Sequence, residues 1–285
     1  MQATPDDKLQ DPPKRGGAPV KLIVLAVAVV VALFLLLYPR GDAPVDEAPP
    51  DPAPAALPEP LPPAPDIPPR PEPVAQEPAE PAEPAEEPAP ALPALEDSDK
   101  LLREEISSVG GDSDEFSPLV EEDNLIARVS ALVDGTSRGT VLRKNLPLSA
   151  PEEPFAVDVR EGQIYLDPEG YERYDGYAQA IAKLDVEAMA ESFHRLRPLY
   201  EQAYAQLGLD PEDFDNAVIR TLDRILATPE LEGPIPLEQD SVMYTYADPE
   251  LESLPSLQKQ LLRMGPENLR LIKQQAQTLR EELLR

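Results

Sequence analysis

The feature that most constrains this chain is an uncharged apolar run of seventeen residues, Leu22–Tyr38, with the sequence LIVLAVAVVVALFLLLY. At a rise of about 1.5 Å per residue it makes a helix of about 25 Å, which is sufficient to cross the core of a bilayer. The run is longer than the roughly 7–15 apolar residues of a secretory signal peptide, and Pro44 would obstruct cleavage at the small residues before it. We therefore predict a transmembrane helix at residues 22–38, with a cleaved signal peptide or a buried core helix as the alternatives.

The basic residues around this run predict its orientation. Four lysines and arginines lie in residues 1–21, whereas only Arg40 and Arg70 occur between the run and Lys100. Short flanks rich in lysine and arginine remain in the cytoplasm. We expect a cytoplasmic basic tail at residues 1–21, a single pass, and the rest of the chain on the opposite side of the membrane.

Residues 39–95 are a low-complexity region of proline, alanine and acidic residues that contains most of the 38 prolines. Proline fixes φ and removes a backbone donor, so neither a helix nor a sheet continues through such a region. The composition predicts a disordered linker that favours the extended polyproline II conformation. The alternative is that this region is a proline-rich ligand for a partner domain.

The composition changes again at residue 96, and residues 96–285 are long enough to form one hydrophobic core. Apolar residues recur at helical spacing after Asp123 and again after Asp185, and the second set includes Phe193, Leu196 and Tyr200. We expect Asp185 to cap the second helix, and glycines lie where each pattern ends. Pro198 lies within the second pattern and predicts a kink or a break in that helix. The region is therefore predicted to be a mainly helical domain.

Short alternating patterns add a small amount of β-structure to this prediction. Residues 155–159 and 164–166 alternate between apolar and polar and predict a hairpin with its turn at Glu161 and Gly162. Residues 242–246 favour a further strand. The predicted fold class is mainly α, with a single transmembrane helix, a disordered proline-rich linker and a C-terminal helical domain that carries one or two small β-hairpins.

The net charge and the amino-acid usage exclude several classes of function. The chain carries a net charge of −29, which repels phosphate backbones, so we expect no nucleic acid among its partners. It has no cysteine, which excludes thiolate nucleophiles, disulfides and zinc–thiolate sites. It also has no Walker A, GxGxxG, GxSxG, HExxH or CxxC motif. We accordingly predict no cofactor, no metal and no catalytic residue.

The only histidine and the densest acidic cluster are the remaining candidates for a chemical site. His194 lies beside an apolar helical stripe with Glu191 as a weak carboxylate partner, so a structural or solvent-facing role is favoured over catalysis. The acidic cluster consists of Asp210, Glu212, Asp213 and Asp215. Its spacing fits no EF-hand loop, whereas acids in a first helical turn stabilise the helix dipole, so capping is favoured over calcium binding.

Tyrosine is the residue type here that most suggests recognition of a partner, because its ring is apolar and its tip is polar. Eight of the nine tyrosines follow the linker, and the chain has no tryptophan. Together with nearby arginines, among them Arg220, they suggest a groove for a peptide or a glycan. The helical spacing of Tyr200 and Tyr204 favours the other interpretation, in which these tyrosines fill the core. The candidate binding residues are Arg195, Arg197, Tyr200, Tyr204, Tyr244 and Tyr246.

Four segments of the helical region resemble a bacterial family catalogued as domain of unknown function 3014. They are Phe193–Gly208 (FHRLRPLYEQAYAQLG), Phe214–Pro229 (FDNAVIRTLDRILATP), Ser241–Leu254 (SVMYTYADPELESL) and Gln258–Asn268 (QKQLLRMGPEN). The order of basic tail, anchor, linker and helical domain is similar too, and the resemblance extends from Leu95 to the C-terminus. It implies an envelope protein of Gram-negative bacteria, with the helical domain in the periplasm, and it implies no activity and no catalytic residue.

These observations predict a non-enzymatic, single-pass inner-membrane protein. Residues 22–38 would contact the lipid bilayer, and the domain at residues 96–285 would bind a periplasmic protein or peptidoglycan. The alternative is a periplasmic hydrolase that uses paired carboxylates, a chemistry that requires neither cysteine nor histidine. An acidic pair beside a water-filled pocket would favour the hydrolase, whereas an exposed apolar or tyrosine-lined patch would favour the binding protein.

Overall fold

The structure is a computed structural model that describes residues 66–68, 92–110, 113–141, 155–240 and 243–285, with the backbone alone for Leu119 and Asp240. The predicted tail and transmembrane helix, and most of the predicted linker, lie outside these residues. Within the described parts of the chain, no helix is both long and apolar enough to cross a membrane.

The described chain is mainly helical, as the sequence predicted for residues 96–285. The helices are α1 (Asp99–Ser108), α2 (Ser117–Val120), α3 (Leu125–Ser137), α4 (Asp175–Ala182), α5 (Val186–Gln206), α6 (Asp213–Leu226), α7 (Pro249–Glu252), α8 (Ser256–Arg263) and α9 (Pro266–Leu283). Two 3₁₀ segments, Leu95–Asp97 and Pro168–Tyr174, precede α1 and α4 respectively.

The strands form one antiparallel sheet rather than separate hairpins. They are β1 (Val157–Arg160), β2 (Gln163–Leu166), β3 (Pro236–Asp240) and β4 (Met243–Tyr246), in the order β1-β2-β3-β4. The predicted hairpin of β1 and β2 is confirmed, and its turn uses Glu161 and Gly162, both with positive φ. β2 also pairs with β3, which aligns Ile164 with Leu237. This pairing was not predicted because three helices separate the two strands in sequence.

The core forms around α5, which packs against α3, α6 and α9. Phe193, Leu196, Tyr200 and Tyr204 are buried on one side of α5, as their helical spacing predicted. The C-terminal helix α9 also packs on α4 and α6, so the last segment of the chain covers part of the core.

Pro198 does not break α5, which continues from Val186 to Gln206 as one helix. The prediction of a break is wrong, and the surroundings of Pro198 give the reason. Pro198 is exposed, so water can hydrogen-bond to the backbone carbonyl of His194, which receives no amide donor from the proline. Leu196 and Leu199, on either side of it, are buried and fix both halves of the helix to the same core.

The core also includes residues before the predicted start of the domain at residue 96. Leu95 is buried, and its 3₁₀ segment contacts α5. Ile67, within the predicted linker, is 2% exposed and belongs to the same hydrophobic cluster, whereas the flanking Asp66 and Pro68 are exposed. Among the described residues of the predicted linker, Ile67, Leu95 and the half-buried Leu92 therefore pack against the helical domain, which composition alone did not indicate.

Helix starts are capped both locally and from a distance. Asp185 caps α5 as predicted, since its Oδ1 accepts a hydrogen bond from the backbone nitrogen of Ala188 at 3.0 Å. At the start of α3, the backbone nitrogens of Asn124 and Leu125 each donate to the carboxylate of Asp99 at 2.8 Å. The second cap comes from another helix, so the local sequence could not predict it.

Candidate functional site

A pocket of about 530 Å³ lies between the 3₁₀ segment that precedes α4, the loop before β3, and the junction of α8 and α9. Its surface is mostly apolar. Ile235 and Met264 are buried in its wall, and Leu231 is half-buried. A concave, mainly apolar cavity of roughly 300–1,000 Å³ with a few polar groups is typical of ligand sites. We therefore take this pocket as the candidate binding site.

The pocket depends on close contact between Tyr171 and Gly265. Gly265 has a φ of +84°, and a Cβ at this position would lie 2.5 Å from the ring of Tyr171. Any residue with a side chain would both displace the tyrosine and strain the backbone. Glycine therefore allows the ring of Tyr171 to pack directly on the α8–α9 junction.

Asn268 connects the two sides of the pocket. Its buried Nδ2 donates to Asp175 Oδ1 at 2.8 Å, to the carbonyl of Met264 at 3.0 Å and to the carbonyl of Tyr171 at 3.3 Å. These hydrogen bonds join α9 to α4 and to the 3₁₀ segment. Because its carboxylate accepts from a buried donor, Asp175 acts here as a structural part of the wall.

The rim of the pocket carries charges of both signs. Arg160, Glu172 and Glu267 are exposed lining residues. Arg160 Nε donates to Asp158 Oδ2 at 2.6 Å, and Glu267 Oε2 accepts from Arg270 at 2.7 Å. An apolar interior with a charged rim suits an apolar group that has polar atoms at its ends.

The structure places four of the six predicted binding residues on α5, away from this pocket. Tyr200 stacks on Phe214 with ring centroids 5.1 Å apart, and Tyr204 meets Phe214 edge-on at 5.4 Å. Tyr204 also donates a hydrogen bond to Asp134 Oδ1 at 3.0 Å. Burial raises the pKa of both tyrosine hydroxyls. In these positions both rings fill the core, which is the interpretation that their helical spacing favoured.

Arg197 connects α5 to the start of α6. It forms an ion pair with Asp215, and its Nε donates to Glu201 Oε1 at 3.0 Å. Asp215 is 2% exposed, and burial raises its pKa to about 6. The charge of Arg197 opposes this rise, and the charges of Glu201 and Asp66 add to it. The carboxyl of Asp215 therefore changes protonation state not far below neutral pH.

Arg195 forms a second ion pair of this kind, with Glu105 of α1. Ser192 Oγ donates to Glu105 Oε2 at 3.1 Å. Burial raises the pKa of Glu105, and the hydrogen bonds and charge from Arg195 and Ser192 oppose that rise. Each of these two buried carboxylates is thus held by an arginine of α5, and neither lines the pocket.

The remaining two predicted residues lie on β4. The backbone nitrogen of Tyr246 donates to Glu252 Oε2 at 2.9 Å, and its hydroxyl donates to the carbonyl of Lys259 at 2.8 Å. The ring of Tyr244 lies 5.7 Å from that of Phe155. These partners belong to α7, α8 and the start of the sheet, so the six predicted residues divide into two groups.

The two other candidates from the sequence, His194 and the acidic cluster, make contacts within the domain. The ring of His194 meets that of Phe193 edge-on at 5.7 Å. Asp213 and Asp215 lie in the first turn of α6, as the interpretation of the acidic cluster predicted. Asp210 Oδ1 accepts from the backbone nitrogen of Glu212 at 3.1 Å in the turn before the helix, and the N-cap residue Glu212 makes no capping hydrogen bond with its side chain. Among the residues that the structure describes, no group of three or more histidines or acids is arranged to hold a metal ion.

The sequence interpretation did not identify the pocket. A glycine before a proline marks the end of a helix, and this signal at Gly265 is equally compatible with a close approach of another chain segment. Tyr171 was one of eight tyrosines with no feature to distinguish it. Tyr171 and Asn268 are 97 residues apart in sequence, and only the packing of α9 on α4 brings them together.

Comparison with known proteins gives a family and no further relatives. The family model described as protein of unknown function (DUF3014) matches residues 125–280, from the first residue of α3 into the last turn of α9. No curated protein and no solved structure matches the chain. The pocket, the sheet and both buried carboxylate–arginine pairs, apart from Glu105, lie within the matched residues. Because the match covers more than half of the 285 residues, the chain belongs to the family of proteins of unknown function DUF3014.

Proposed function

We propose that this chain is a non-enzymatic, single-pass inner-membrane protein whose helical domain binds an envelope protein or a cell-wall component in the periplasm. The apolar run at residues 22–38 and its basic flank support the anchor and its orientation. The proline-rich composition of residues 39–95 supports a spacer between membrane and domain. The observation that carries the binding role is the apolar pocket of about 530 Å³.

The chemistry of the pocket favours a short extended peptide with an apolar side chain. The half-buried side chain of Leu231 supplies apolar contact, and Tyr171 adds an aromatic face with a polar tip. Arg160 and Glu267 at the rim can pair with the peptide groups or charges on either side of that side chain. A periplasmic protein with an extended segment is therefore the favoured partner over a glycan, which would require more polar lining.

A carboxylate-based hydrolase is the second candidate, and Asp215 is the observation that favours it. Its pKa of about 6 is suitable for a general acid that works near neutral pH. Against this role, Asp215 and Glu105 are each ion-paired with an arginine, and neither carboxylate lines the pocket. We therefore favour binding over hydrolysis.

Photo-crosslinking in intact cells tests the binding role. A photoreactive amino acid replaces Glu172 or Glu267 on the rim, or Gln206 at the end of α5 as the control. All three positions are exposed, but Gln206 lies outside the pocket. We expect the same discrete adduct from both rim positions and none from Gln206, with the partner identified by mass spectrometry.

A matched pair of substitutions shows whether the pocket itself captures the partner. Leu231→Asp places a charge in the apolar lining and should abolish the adducts, because burial of a carboxylate against the partner is unfavourable. Leu207→Asp makes the same change at an exposed position after α5 and should leave them unchanged. Adducts that persist in Leu231→Asp, or no adduct from either rim position, would overturn the pocket as the binding site.

A further inference from the structure

Ile67 of the proline-rich region packs into the helical domain, well before Leu92 and Leu95 at the end of that region. Residues 66–68 alternate as exposed, buried and exposed, and Ile67 is among the largest fully buried side chains of the described chain. Such a pattern is typical of an extended segment that inserts one anchor residue into a site on a folded domain.

The charge of Asp66 locates this segment near the start of α6. It acts on the carboxyl of Asp215, which lies in the first turn of α6 and forms the ion pair with Arg197 of α5. Asp66 therefore lies near the ion pair that joins α5 and α6, and the adjacent Ile67 is buried in the hydrophobic cluster of the domain.

The sequence around Ile67 is suited to docking. Ile67 is the only isoleucine in residues 39–95, and prolines lie immediately after it and two residues before it. Proline restricts the backbone before docking, so less conformational entropy is lost when the segment binds in an extended form. Covalent connection to the domain through residues 69–91 also makes docking intramolecular, which raises the effective concentration of the segment.

We infer that residues 66–68 are a docking motif that occupies a site at the α5–α6 junction of the same chain. The proline-rich region is then attached to the domain at two points, Ile67 and Leu95. If the chain is anchored as proposed above, docking shortens the tether between membrane and domain. At about 3.1 Å per residue, residues 39–65 extend to roughly 85 Å, whereas residues 39–95 extend to roughly 175 Å.

Single-cysteine labelling of the full chain tests the docking motif directly, because the natural sequence contains no cysteine. Ile67→Cys is compared with Asp66→Cys and Pro68→Cys, and with Leu61→Cys, which is also an aliphatic residue between prolines. We expect a maleimide to label Cys at position 67 about tenfold more slowly than at the other three positions, since it must wait for transient undocking. In denaturant the four rates should become equal.

A second measurement is needed because cysteine is smaller than isoleucine. If the cysteine side chain fails to dock for that reason, labelling alone gives the same result as a segment that never docks. Ile67→Asp should lower the thermal unfolding temperature of the domain, whereas Leu61→Asp should not. Equal labelling rates at positions 61 and 67, together with equal unfolding temperatures for the two aspartate variants, would overturn the docking motif. Protection that disappears on dilution would also overturn it, because it would show docking onto a second copy. Neither readout depends on a partner in the pocket, so this inference and the proposed binding role can fail separately.

Discussion

At the scale of single residues, Asp215 is a buried carboxyl whose pKa is raised despite its ion pair with Arg197. It is 2% exposed and its pKa is raised from 3.8 to about 6, mainly by burial. The folded protein therefore binds a proton here more readily than the unfolded chain does, so this group contributes stability at low pH that is lost as pH rises through the interval from about 4 to about 6. Arg197 reduces this loss but does not remove it.

Asp215→Asn tests this environment through its pH dependence. The amide stays neutral, so the variant should gain stability relative to the natural chain as pH rises from about 4 to about 7, by roughly 1–3 kcal/mol at about 1.4 kcal/mol per pKa unit. The measurement is urea unfolding of both proteins across that range. The control is Asp223→Asn, which makes the same substitution on the same helix but at a half-exposed partner of Arg280. A stability difference for Asp215→Asn that does not change with pH would contradict the prediction.

At the scale of secondary-structure elements, contacts between distant segments fix the helices in place. The hydroxyls of Thr136 and Thr221 lie 3.1 Å apart in the buried interface of α3 and α6. Arg224 Nε donates to the carbonyl of Ser137 at 2.6 Å across the same interface. At the other end of the domain, the α8–α9 junction is shaped by the packing of Tyr171 on Gly265. The pocket therefore forms where several elements meet, and no single element contains it.

Gly265→Ala should destabilise the domain and deform the pocket. The alanine Cβ would lie 2.5 Å from the Tyr171 ring at a φ of +84°, and we expect a loss of roughly 2–4 kcal/mol from backbone strain and steric overlap together. Gly233→Ala is the matched control, since Gly233 also lines the pocket and has a φ of +89° but has nothing within 4 Å of the added Cβ. It should cost roughly 1–2 kcal/mol from backbone strain alone. Equal shifts in the urea unfolding midpoints of the two variants would contradict the prediction, because they would show that the close contact between Gly265 and Tyr171 adds nothing to the cost of the alanine.

At the scale of the whole molecule, the proposed arrangement is a membrane anchor, a proline-rich tether and a helical domain. The chain has a net charge of −29, and four lysines and arginines lie in the 21 residues that precede the apolar run. That distribution favours a cytoplasmic N-terminus and keeps the acidic domain apart from anionic lipid head groups.

Reporter fusions test this arrangement. A reporter enzyme that is active only outside the cytoplasm should be active when fused after Arg285, and a reporter that is active only in the cytoplasm should be silent there. A fusion of each reporter after Lys21 provides the control and should give the opposite result, since that position precedes the apolar run. The reverse pattern, or release of the Arg285 fusion from the membrane fraction, would contradict the single-pass anchor.

The sequence alone determined the helical character and most of the helix positions. The spacing of Phe193, Leu196 and Tyr200 predicted the buried side of α5, and Asp185 predicted its start. The turn at Glu161 and Gly162 predicted the first hairpin. These features are local: caps, turns and apolar periodicity depend on residues a few positions apart, so they are visible in the sequence.

Tertiary structure decided everything that depends on residues far apart in the chain. The pairing of β2 with β3, the cap that Asp99 supplies to α3, and the pocket between Tyr171 and Asn268 all join segments that no local pattern connects. It also placed Tyr200, Tyr204 and Ile67 in the hydrophobic cluster that forms the core. The physical reason is that side-chain burial is set by what packs against a segment, so the same tyrosine or isoleucine is compatible with a binding surface or a core until its neighbours are known.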